Sequence, residues 1–136
     1  VRLVTARGRA HLVVGILGVL AFLASGLDMH FRHDHLRGLD MATRLSFRSI
    51  HVYLLFSALL NLGFAYGERV HEVMWKRRVA AIGSGFVLIA PLLLGLAFVK
   101  EPLASAEHRV FTSFGVYASV VGTVLLTIAS APRVRR

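Results

Sequence analysis

Four apolar runs, each closed off by charged residues, divide the chain at residues 12–27, 50–66, 79–99 and 110–131. A hydrocarbon core about 30 Å thick takes roughly 20 apolar helical residues to cross, and the last two runs contain no Asp, Glu, Lys or Arg. A soluble domain would spread its charge along amphipathic helices, whereas here charge is confined to the connecting segments. The pattern predicts an all-α integral membrane protein: a four-transmembrane-helix bundle with helices over about 10–27, 48–66, 79–99 and 110–131, forming a single domain across residues 1–136.

Residues inside the runs speak mainly of helix packing. Small residues recur three or four apart, as Gly15, Gly18, Ala21 and Ala24 in the first helix, Ala81 and Gly85 in the third, and Gly115 with Ser119 and Ala118 with Gly122 in the fourth. Such spacing lets two helix backbones approach closely. Pro91, in the middle of the third run, removes a backbone hydrogen bond and predicts a bend near Ala90, tolerable if a neighbour satisfies the freed carbonyl. The second run carries a polar stripe at every fourth residue, Ser49, Tyr53, Ser57 and Asn61. An unpartnered amide in hydrocarbon costs several kcal/mol, so Asn61 is expected to bond across to another helix or to line a small polar pocket that would take a quinone headgroup or an ion. The segments 49–53 and 113–117 are similar, a hint of two helical hairpins related by a parallel repeat.

Charge sets the expected orientation. Ten of the sixteen Lys and Arg lie at the two ends of the chain and in the second loop, with two acids; the first and third loops hold the other six, with five acids. Positive residues stay on the cytoplasmic side, which predicts both termini inside (N-in, C-in) and explains the +9 formal charge by orientation and contact with anionic membrane lipids, with no need for nucleic acid. The first run follows Arg2, Arg7 and Arg9 but lacks a good cleavage site after it, and three more runs follow, so it reads as a true span rather than a signal peptide. Val1 in place of Met reads as a processed end or an alternative bacterial start codon. The expected location is a bacterial inner membrane. With no cysteine in the chain, disulfides, thiolate metal sites and cysteine nucleophiles are excluded.

The most unusual chemistry is in the first loop, where residues 28–35 hold three imidazoles and two carboxylates. His30, His33, His35 and Asp34 form a candidate divalent-metal site, since neutral imidazole with carboxylate suits Zn²⁺, Cu²⁺ or Ni²⁺; Arg32 and Arg37 oppose a cation there. Haem is the other use of such residues, because bis-imidazole ligation needs two histidines at matched depth on facing helices. His51 with His108, or with a histidine of the first loop, would meet that condition, with Arg48 for a propionate, and Arg48-x-x-His51 at the start of a span resembles four-helix membrane cytochromes of the b561 type. The resemblance stops there: His11 has no obvious partner for an inner haem, and no deep histidine is expected in a helix interior.

No nucleophile elbow, zinc-protease helix, phosphate loop or paired intramembrane acids occur, which argues against an enzyme, and the lack of acids at depth argues against an ion-driven transporter. The chain therefore reads first as a non-catalytic accessory subunit or assembly factor of a larger membrane complex, bound to other membrane subunits or to copies of itself. A haem- or metal-binding redox protein using the outer histidines is the alternative. A third reading is a quinone- or lipid-binding protein with its site near Asn61, Tyr53 and Ser57.

Overall fold

A computed structural model describes residues 5–67, 73–103 and 109–131 of the chain. Four helices account for nearly all of them: α1 (Ala6–Phe31), α2 (Met41–Gly67), α3 (Met74–Lys100) and α4 (Val110–Ser130). All four are long and apolar enough to cross a membrane; 26 residues at 1.5 Å per residue give α1 a length of about 39 Å. The described residues thus form a four-helix bundle of candidate membrane spans with broad apolar outer faces, on which Leu17, Leu20, Phe56 and Leu92 are each more than half exposed.

α1 and α2 outrun their apolar runs because polar residues cap them. Thr5 opens α1, its hydroxyl accepting the Gly8 N–H at 3.0 Å. Asp40 opens α2 by accepting the Thr43 N–H at 3.0 Å and the Thr43 hydroxyl at 2.6 Å, so that α2 begins at Met41, well before its apolar run. An N-cap side chain satisfies backbone donors that have no partner in the helix itself. Lys76 closes the last turn of α4 by donating to the Ala131 carbonyl at 2.5 Å, a cation where the helix dipole is negative.

Side-chain pairs fix the connectivity as alternately antiparallel. His11 near the start of α1 meets Asn61 late in α2 and Ser84 early in α3, while Ser25 late in α1 meets His51 in the first half of α2. One end of the bundle, the basic end, therefore holds the starts of α1 and α3. The other, the histidine end, holds the loop after α1 and the turn after α3. Hairpins α1–α2 and α3–α4 are each tightly packed, and they join mainly through α2 against α3. Among the described residues α1 and α4 form no matching interface, so the two hairpins are not related by the twofold arrangement that the repeat suggested.

Close backbone approach is made by a different small-residue set from the one the spacing picks out on α3. A Cβ on Gly83 would lie 2.9 Å from the Gly122 carbonyl oxygen, and one on Gly122 would lie 2.7 Å from that of Gly83. Gly18 likewise accepts Ala58, whose Cβ would be 2.7 Å from an added Cβ. Ala81 and Gly85, by contrast, face outward, and a Cβ on Gly85 would meet nothing within 4 Å. The reason is register: α3 turns Ala80, Gly83, Ser84 and Val87 toward its neighbours. Pro91 is accommodated with α3 remaining one helix from Met74 to Lys100.

Candidate functional site

Polar chemistry gathers at two depths. The deeper centre is a chain of hydrogen bonds across α1, α2 and α3. Asn61, fully buried, donates from Nδ2 to the carbonyls of Ser57 and Val87, both at 2.9 Å. With two carbonyls fixing the amine side, Oδ1 faces His11 Nδ1 at 2.7 Å. A carboxamide oxygen only accepts, so His11 carries a proton on Nδ1, and Ser84 Oγ lies 2.7 Å from its Nε2; in the neutral ring that nitrogen accepts the Ser84 hydroxyl. His11, 1% exposed, is therefore a buried histidine inside the bundle, where the sequence reading expected none. Its location at the start of a helix whose apolar run begins only afterwards concealed this.

Ser57 and Tyr53 do not join Asn61 around a common cavity. Ser57 is buried and returns its hydroxyl to the Leu54 carbonyl at 2.9 Å, and Tyr53 is 38% exposed on the outer face. A four-residue step advances 400° around a helix, so a stripe of such steps drifts out of the interface over three turns.

The shallower centre is at the histidine end. His51 lies flat against Phe22, ring centroids 4.1 Å apart, with Nδ1 2.8 Å from Ser25 Oγ. That hydroxyl also donates to the Phe22 carbonyl at 2.8 Å, so the ring donates from Nδ1 and keeps its Nε2 lone pair. Arg48 is exposed one turn earlier on α2. His108, the other candidate haem ligand, lies outside the described residues.

In the loop the four candidate metal residues separate. His30 and His35 meet, Nδ1 to Nδ1, at 3.2 Å, with rings edge to face. His33 turns the other way, placing Nε2 3.5 Å from Asp28 Oδ2 and its ring 4.9 Å from that of Phe47. Asp34, His35 and Leu36 all have positive φ, 40°, 57° and 63°, a run that non-glycine residues seldom adopt. It drives Leu36 into the core formed by Phe47, Ile50, Ala97 and Phe98, and that burial offsets the strain. No group of three or more His, Asp or Glu converges on a metal position among the described residues.

A cavity of about 670 Å³ opens beside this loop. Ala21, Ala24 and Ser25 of α1 face Gly95, Phe98 and Val99 of α3 across it, Phe47 and Leu54 of α2 close one wall, and Asp28, Arg32 and His33 stand together on its lining. Asp28 also accepts from Arg32 at 3.2 Å. Opposite the loop, the turn after α3 is held by Glu101, a buried carboxylate. It accepts the N–H of Phe111 at 2.5 Å, the N–H of Thr112 at 3.2 Å and the Thr112 hydroxyl, and so caps α4 from the end of α3. Neither this cap nor the cavity was visible in the sequence, since each depends on residues brought together from separate helices.

Comparison with protein-family models, with curated proteins and with solved structures finds no match to this chain.

Proposed function

We propose that the chain is a non-catalytic accessory subunit or assembly factor of a larger complex in a bacterial inner membrane, with both termini cytoplasmic. The observation that carries this reading is the closure of the deep polar chain on itself. His11, Asn61 and Ser84 bond to one another and to the Val87 and Ser57 carbonyls. They hold three helices in register, as interhelical hydrogen bonds do in lipid, instead of presenting groups to a substrate. The outward position of Ala81 and Gly85 is compatible with a neighbouring helix packing there. The orientation follows from the basic residues at the ends of the chain and in the second loop and the positive-inside rule.

Native mass spectrometry of the protein released from its own membranes in mild detergent tests the reading. A heavier assembly containing other polypeptides, reduced by Gly85→Leu, supports it. A species of 14.9 kDa, or a multiple, holding a tightly bound cofactor sinks it.

A second reading, divalent-metal binding at the histidine end, is favoured by one distance. Two imidazole nitrogens bound to one tetrahedral Zn²⁺ at 2.0–2.1 Å stand about 3.3 Å apart, close to the 3.2 Å between His30 and His35. Zinc titration of the wild type and of His35→Ala separates this from simple packing: stoichiometric binding lost in the variant supports it, and equal weak binding by both rejects it.

A further inference from the structure

The cavity between α1 and α3 combines features that select one kind of occupant. At the level of Gly18, Ala58 and Pro91 the helices are in close contact, with an added Gly18 Cβ 2.7 Å from Ala58 and 3.6 Å from Pro91. Toward the histidine end small residues, Ala21, Ala24 and Gly95, line the space instead, so the cleft widens there. Its volume, about 670 Å³, is in the range of small-molecule and cofactor sites, roughly 300–1,000 Å³.

The walls are apolar and partly aromatic. Phe47 and Phe98 line the cavity with rings edge to face, centroids 5.4 Å apart, and His33 tilts onto Phe47. Both phenyl rings are themselves packed in the core, 2% and 8% exposed, so they form a rigid aromatic floor to the cleft on which a flat ring can rest. On the α3 side, the lining residues Val99 and Leu103 are 78% and 68% exposed, so that flank of the cavity opens beside apolar surface, the entrance a lipid-borne ligand would use. The polar residues stand together. Arg32 and His33 flank Asp28 and supply donors beside an acceptor. Because Asp28 already neutralises Arg32, an anionic headgroup would bring its charge against a carboxylate. An uncharged ring would find there a donor for one carbonyl oxygen and, in its reduced form, an acceptor for the corresponding hydroxyl.

We propose that this cleft binds a neutral prenyl quinone from the bilayer, its ring held between the Phe47–Phe98 pair and the Asp28–Arg32–His33 cluster and its tail leaving past Val99 and Leu103. The site is about two helical turns or more from Asn61 along α2 and uses none of the deep polar chain. It also stands independently of the accessory-subunit reading, since a subunit or a free-standing protein could carry it.

The test uses the full chain in phosphatidylcholine nanodiscs, titrated with decylubiquinone and followed by native mass spectrometry and by hydrogen exchange at residues 21–28 and 95–103. The expected result is saturable binding of one quinone per chain, with protection of both segments. Gly95→Leu should weaken binding tenfold or more: nothing lies within 4 Å of a Cβ at Gly95, so the new side chain fills the cleft without displacing backbone. Ala21→Phe, from the opposite wall, should do the same, which keeps the test decisive if one variant folds poorly. Gly63→Leu also adds a side chain in open space but outside the cleft, and should bind as wild type. Uptake that never saturates, or that is equal in all of these chains, overturns the proposal. So does displacement of the quinone by dioleoylglycerol at equal concentration, which would make the cleft a general acyl-chain groove.

Discussion

Asn61 supplies the hydrogen bond that Pro91 withholds from its own helix. Proline at position 91 has no N–H to donate to the carbonyl four residues earlier, which belongs to Val87, and Asn61 Nδ2 reaches that carbonyl from α2 at 2.9 Å. The same amide holds His11 at 2.7 Å through its oxygen. A defect in α3 is thereby converted into a tie between three helices, at a depth where water is not at hand to satisfy a carbonyl.

The tie makes the two positions interdependent. Asn61→Leu leaves the Val87 carbonyl and His11 Nδ1 without these partners and should cost about 2–4 kcal/mol, since a buried polar group left unsatisfied costs about 1–3 kcal/mol. Pro91→Ala restores the helical donor to Val87, so Asn61→Leu should cost about 1 kcal/mol less in that background. Unfolding of the four proteins of this double-mutant cycle in mixed detergent micelles measures the coupling. Strict additivity would show that the Asn61–Val87 bond contributes nothing.

Gly122 and Gly85 should respond in opposite directions to the same change. An added Cβ at Gly122 lies 2.7 Å from the Gly83 carbonyl oxygen and 2.7 Å from Val87 Cγ2, so Gly122→Ala must push α3 and α4 apart; overpacking of this kind costs about 1–3 kcal/mol. At Gly85 nothing lies within 4 Å, and Gly85→Ala should stabilise α3 by up to about 1 kcal/mol through helix propensity. Thermal unfolding of the two variants beside wild type decides it. A neutral Gly122→Ala would contradict the close crossing.

The architecture was legible in the sequence because lipid imposes a coarse and redundant pattern: long apolar runs, charge restricted to the loops, a proline that needs a donor. That Asn61 would bond to another helix followed from the cost of burying an amide. His11 was not legible, because its partners are 50 and 73 positions away and the apolar run begins only after it. The Ala81 and Gly85 spacing predicts a close helix approach that the bundle makes at Gly83 instead, because spacing alone does not say which side of α3 faces its neighbours. The His30–His35 contact rests on a left-handed turn at Asp34, His35 and Leu36 that lacks a glycine to announce it.

Glu101 should control the start of α4. Its carboxylate accepts two backbone N–H groups and the Thr112 hydroxyl, placing negative charge at a helix N-terminus, where the dipole favours it. Hydrogen bonds to a charged group contribute about 1.5–3 kcal/mol, so Glu101→Ala should destabilise the protein by an amount on that order and expose the Phe111 and Thr112 amides to exchange. Glu101→Gln keeps an acceptor of the same shape and should lose roughly half as much. Hydrogen exchange resolved at residues 111–113 distinguishes local fraying of α4 from a general loss of stability, and unchanged exchange in Glu101→Ala would remove the cap from the account of the fold.

Acid should loosen α2 at Asp40 before it affects the buried helices. The Thr43 hydroxyl and N–H, both bonded to the Asp40 carboxylate, hold its pKa below the ordinary aspartate value of 3.8. A carboxyl whose folded pKa is lowered contributes its full stabilisation above the unfolded value and loses it as pH falls through the folded one. The cap should therefore be intact at neutral pH and through pH 5. Its contribution should shrink below about pH 4, where the unfolded chain begins to take up the proton, and the carboxylate itself should protonate only below its lowered folded value. Exchange of the Thr43 and Arg44 amides, corrected for the intrinsic effect of pH, should rise in that acid window while amides around Ile50 and Leu54 stay protected. Asp40→Asn, which keeps a capping oxygen but cannot titrate, should make the same amides insensitive to pH across this range; persistence of the acid step in that variant would assign it to another carboxylate.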